Sequence, residues 1–170
     1  MLTDLEISSQ HAVLEGKTFG SVGPYEQLHG SARFAVDPDN VQNARIVDID
    51  LAPRNADGLV TCRADIWILR PVEPERGNGA LMYHVVNRGK KGVLGTYNLA
   101  VASPRPETEA HFGDGYLMEA GYTVAACGWQ ADVPTETPED KHLMTFDVPV
   151  PTRNGEPITG PVGCEIIVDE

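Results

Sequence analysis

Gly79-Ala80-Leu81-Met82-Tyr83-His84-Val85-Val86 is a nearly continuous apolar run, and Tyr122-Thr123-Val124-Ala125-Ala126-Cys127 is a second. Short apolar runs of this kind are the pattern of strands covered on both faces in a parallel or mixed sheet, and the first reads as a central strand. Between them, residues 95–110 read as an irregular loop or a short helix broken at Pro104 and Pro106. Asp114 is placed to cap a brief helix through Met118 and Glu119, ending at Gly121, where a residue without Cβ takes the left-handed conformation. Strand, loop with helix, strand predicts a right-handed βαβ unit.

Working outward, Leu59 to Leu69 is strand-like, with Ala64, Ile66 and Ile68 on one side, Asp65, Trp67 and Leu69 on the other, and Pro71 as its stop. Ile46 to Leu51 alternates with period two and predicts a strand that exposes Asp48 and Asp50. Residues 12–20 and Ser31 to Asp37 read as two strands around a Gly23-Pro24-Tyr25 turn. After Trp129, recurrent prolines interrupt every potential helix. Met144 to Val150 and Val162 to Val168 remain strand candidates, with a tight turn at Arg153-Asn154-Gly155. No repeat and no domain boundary is evident, so residues 1–170 read as a single domain, β-rich with few helices.

The chain has 170 residues, 41% hydrophobic and 22% charged, with 17 glycines and 13 prolines. That is a globular composition with many turns. A formal net charge of −12 argues against nucleic acid as a partner, since such affinity rests on clustered Lys and Arg. The one basic cluster, Arg88-Gly89-Lys90-Lys91, reads as a local loop charge. Cys62, Cys127 and Cys164 are odd in number and far apart, which suggests neither a disulfide framework nor a zinc ribbon. The N-terminus has acids where a signal peptide has a basic region, and no apolar run reaches the roughly 18 residues that span a bilayer. The expectation is a cytoplasmic protein without a membrane partner.

Few residues form a recognisable chemical constellation. His11, His29, His84, His111 and His142 contain no pair at metal-ligand spacing, so no metal and no cofactor is expected. His84 reads as a core or cleft histidine, and His111 is a weak catalytic candidate. The acid pairs Asp48 with Asp50 and Glu107 with Glu109 read as solvated surface rather than a glycosidase pair. Trp129 and Gln130 follow the second apolar strand, at the carboxyl end where open α/β sheets gather ligands, and are candidate pocket-lining residues.

Five motifs in order carry a resemblance: Gly23-Pro24-Tyr25-Glu26; Asp37-Pro38-Asp39-Asn40; Ala52-Pro53-Arg54-Asn55 followed by Gly58; Asn87-Arg88-Gly89; and Gly115 to Val124 with Gly128-Trp129-Gln130. Together they resemble the N-terminal portion of bacterial α/β-hydrolase domain-containing proteins. The resemblance implies an α/β fold, the N-terminal part of an α/β-hydrolase-like mixed sheet, and an ester or related acyl substrate. That fold places its nucleophile on Gly-x-Ser-x-Gly, ahead of an acid and a histidine. No such pentapeptide exists here, so the resemblance implies a fragment, inactive alone, whose nucleophile, acid and histidine lie beyond Glu170. It makes Asn87, Arg88 and Gly89 a candidate oxyanion loop, with a strand-ending tight turn as the alternative. The contrasting reading is a stand-alone β-rich binding or interaction module without catalysis. A sheet cut before the nucleophile strand predicts self-association at the Tyr122 to Cys127 edge.

Overall fold

The computed structural model describes residues 1–161 and 163, which divide into two compact units. The first comprises Met1–Ala35 with Cys62–Val148, and the second Val36–Thr61 with Pro149–Glu170.

The first unit is built on a seven-stranded sheet. Its strands are β1 (Leu2–Ala12), β2 (Thr18–Phe19), β3 (Gly23–Val36), β4 (Val60–Pro71), β5 (Leu81–Val85), β6 (Thr123–Cys127) and β7 (Phe146–Asp147). The main order is β1-β3-β4-β6-β5, with β2 paired to β3 and β7 to β4. β3 and β4 carry Val36 and Val60–Thr61 into the second unit. Pairing is antiparallel for β1 with β3, β2 with β3, β4 with β6 and β4 with β7. β5 and β6 run parallel, from Leu81 opposite Thr123 to Val85 opposite Cys127. The crossover between them holds α1 (Val93–Tyr97), α2 (Glu109–Phe112) and α3 (Tyr116–Glu119).

The expected α/β-hydrolase-like fold is therefore corrected. The protein is β-rich, with a mixed sheet dominated by antiparallel pairs and three helices of four or five residues. The reason lies in the crossover sequence, where Gly92, Gly95, Pro104, Pro106, Gly113 and Gly115 leave no uninterrupted helical stretch. Helices this short do not clothe both faces of a sheet, as α/β layering requires. The central-strand expectation for residues 79–86 is corrected with it. β5 is the edge strand, and Leu81, Tyr83 and Val85 are more than half exposed. β6 is paired on both sides, so the free edge does not fall on it.

Other elements follow their sequences more closely. β4 spans Val60–Pro71 and buries Trp67 and Leu69 on one face. Around them lie Phe19, Tyr25, Leu94, Phe112, Leu117, Met118 and Val124 in one core. Tyr25 donates its hydroxyl to the Tyr122 carbonyl at 3.0 Å and meets Phe19 edge-on. Gly23-Pro24-Tyr25 begins β3 rather than forming a turn. Glu26 beside it is buried and accepts from Arg70 Nε at 2.8 Å and Gln10 Nε2 at 2.6 Å. Gln27 accepts from Trp67 Nε1 at 3.0 Å and donates to the Pro106 carbonyl at 2.9 Å. The Gly-Pro-Tyr-Glu motif thus serves packing.

In the second unit, the expected strand over residues 46–51 is a set of turns ending in a 3-10 turn at Ile49–Leu51. Asp48 adopts a left-handed backbone there, which breaks the alternation that the side chains suggest. Two motifs close on each other within this unit: Arg54 makes a two-point contact with the Asp39 carboxylate, at 2.8 and 3.1 Å. Asn55 Oδ1 accepts from the backbone N–H groups of Asp57 and Leu59. Strands β8 (Thr152–Arg153) and β9 (Glu156–Pro157) pair across Asn154-Gly155, the expected tight turn. The strand expected over 162–168 falls on residues outside those described, as does Cys164, Gly163 excepted.

Candidate functional site

The expected oxyanion loop begins at the end of β5 and forms a small closed turn. Asn87 and Lys90 bridge each other, and the Lys90 N–H donates to the Asn87 carbonyl at 3.2 Å. Arg88 has a left-handed backbone, and its N–H donates to Gln130 Oε1. Its guanidinium holds the Asp132 carboxylate at 2.7 Å and the Asp132 carbonyl at 2.8 Å. Trp129 Nε1 donates to the Val86 carbonyl. The two predicted groups, Asn87-Arg88-Gly89 and Trp129-Gln130, are thus neighbours that bind one another.

Gly89 has φ of +76°, and a Cβ there would lie 2.7 Å from the Met144 nitrogen. Its carbonyl accepts from that nitrogen at 3.0 Å. Glycine is needed for the left-handed turn and for this close approach. His111 accepts from the backbone N–H groups of Glu107 and Thr108 and caps α2. Glu107 pairs with Arg105, and Glu109 with Lys17. His84 Nε2 lies 3.3 Å from the Lys90 carbonyl oxygen. Among the described residues no group of three or more His, Cys, Asp or Glu is arranged to hold a metal ion. Nor is any described helix long and apolar enough to cross a membrane. Burial raises the thiols of Cys62 and Cys127, both free, which makes them poor nucleophiles.

Two residues beyond Gly89, the same loop reaches a cavity of about 540 Å³ through Lys91. Ser8, Ser9 and His11 from β1, His29 and Gly30 from β3, and Arg63, Asp65 and Ile66 from β4 form one part of its lining. Residues 104–106 and 141–144 form the remainder. Gly30 fits because a Cβ at this position would overlap the carbonyl oxygen of Glu6 on β1. A second cavity of about 370 Å³ shares Lys91, Pro104 and Leu143 with the first.

Lys91 is 5% exposed. Its ammonium donates to the carbonyl oxygens of Pro104 at 2.6 Å and His142 at 2.9 Å, tying two loops to the end of the crossover turn. Burial lowers it from 10.5 to about 8, against the opposing pull of Asp65. His29 stacks on His11 with ring centroids 5.6 Å apart. Burial first, then the charge of Lys91, brings His29 down to about 4, so it is neutral at pH 7. Asp65 is fully engaged: Arg63 Nη1 reaches one oxygen at 3.0 Å, and the Thr145 N–H and hydroxyl reach the other at 2.9 and 2.7 Å.

The cavity is not legible in the sequence because its walls come from six separate segments. The local signal is Lys91 itself, between a turn and the apolar Val93-Leu94 pair, where beside Arg88 and Lys90 it reads as loop charge. Comparison with protein-family models, curated proteins and solved structures gave no match.

Proposed function

We propose that this chain is a binding module that takes a small acyl compound in the cavity beside Lys91. The observation that carries the reading is the cavity itself. At about 540 Å³ it falls in the size range of small-molecule sites. Its lining is mainly polar and charged, with Lys91, His29, Arg63 and Asp65 among its groups, and Ile66, Leu143 and Met144 add apolar surface. The five motifs add the acyl class through their resemblance to α/β-hydrolase domain-containing proteins. Free Cys62 and Cys127 support a reducing, cytoplasmic setting.

A second reading makes the module part of an ester-hydrolysing enzyme whose nucleophile comes from outside these residues. It is favoured by the continuity of the Asn87–Gly89 turn with Lys91 on the cavity wall. In either reading the chain alone is expected to have no turnover, because among the described residues no serine hydroxyl is hydrogen-bonded to a histidine ring, as a triad requires.

Calorimetric titration of the chain with short-chain acids, esters and amides tests the binding reading. Saturable one-to-one binding by members of the panel supports it, and failure of every compound overturns it. Hydrolysis of an activated short-chain ester by the chain alone, with covalent labelling of a serine by a fluorophosphonate, would replace it with a catalytic one.

A further inference from the structure

The ligand's charge is legible in how the cavity's cations are paired. Arg63 has Asp65 as its carboxylate at 3.0 Å, and Arg105 has Glu107 at 2.6 Å. Lys91 has no carboxylate within 4 Å among the described residues, although it is the most buried cation on the wall. An ammonium carries three donors, and two are spent on neutral carbonyls. A buried charge without a counter-ion is costly and is ordinarily paired. Asp65 attracts Lys91 from a distance, but both of its oxygens are already bonded.

We propose that the cavity binds a small organic monoanion, a carboxylate with a hydrocarbon part, and that Lys91 is its counter-ion. This rests on the binding reading above and narrows its ligand class. Lys141, the fourth cation on the wall, also has no carboxylate within 4 Å among the described residues but is exposed and hydrated, so the one buried charge, on Lys91, calls for one negative charge on the ligand. The volume exceeds the needs of an inorganic ion, and Ile66, Leu143 and Met144 offer the hydrocarbon part an apolar surface. The remaining Lys91 N–H supplies a charge-assisted hydrogen bond to one carboxylate oxygen.

The experiment titrates the full chain at pH 6.5 with hexanoate, its methyl ester, its primary amide and inorganic phosphate. Hexanoate is expected to bind at least ~10-fold more tightly than the ester or amide, and phosphate more weakly than hexanoate. In Lys91→Met, and separately in Lys91→Gln, which keeps a donor for the loop carbonyls, the preference for acid over ester should vanish. Equal binding of acid and ester, or tighter binding of phosphate, in the unaltered protein overturns the proposal while leaving the cavity reading in place. Persistence of the preference in a folded Lys91 variant overturns the assignment to Lys91. No binding by any of the four overturns the proposal; failure of the wider acyl panel as well would remove the cavity reading.

Discussion

The Lys91 ammonium nitrogen lies 2.9 Å from the carbonyl oxygen of His142, 51 residues away in sequence. A charged group that far inside must lose hydration, and its value near 8 records that loss. The folded value lies below the unfolded one, so between about pH 8 and 10.5 the unfolded chain binds more protons. Stability attributable to Lys91 therefore rises as pH increases through that window. Urea denaturation at pH 7.5 and 9.5 should show this rise in the native sequence relative to Lys91→Met. Equal pH dependence in the two would show that Lys91 is not desolvated.

His29 titrates in the other half of the pH range. Its folded value of about 4 lies below the unfolded 6.5, so its contribution is present above 6.5 and is lost as pH falls toward 4. His29→Gln should lose less stability than the native sequence between pH 7 and 4, by about 1 to 2 kcal/mol once solvent screening of this half-buried ring is allowed for. Denaturation midpoints at several pH values would decide this, and parallel curves would contradict it.

Gly89→Val is expected to lower stability by about 2 to 4 kcal/mol, since it combines a left-handed backbone with overlap on Met144. A melting temperature close to that of the native sequence would contradict the packing role of this turn.

The exposed edge of β5 presents Leu81, Tyr83 and Val85 without a charged residue in the strand. Natural edges are usually guarded by charge, proline or a bulge. Sedimentation over a concentration series should show self-association that Tyr83→Lys reduces. A native chain that stays monomeric throughout, or associates equally with the substitution, would contradict this expectation.

What was legible in the sequence was local. The paired apolar runs locate β5 and β6, including their parallel relation, and the parity of β4 puts Trp67 and Leu69 on one side, the side the structure buries. Asp114 Oδ1 accepts from the Tyr116 N–H just before α3, and Gly121 takes the left-handed conformation. What was not legible depended on partners distant in sequence. An apolar run does not say whether both of its faces are covered, and β5, expected at the sheet centre, lies at its edge. β1 carries no buried face that a pattern could reveal, since every residue in it is exposed, and the Ile46–Leu51 alternation is overridden by turn formation. The cavity was illegible for the same reason, since Lys91 acquires its meaning only when residues 104 and 142 fold over it.

The central claim is that the cavity beside Lys91 is a ligand site. Methyl-selective NMR reads it most directly, by following Ile66 and Met144 on the cavity wall during titration with hexanoate. The account predicts saturable shifts at these two methyl groups, with little change at Val150 in the second unit. Saturable shifts elsewhere on the protein, with Ile66 and Met144 unmoved, would contradict it.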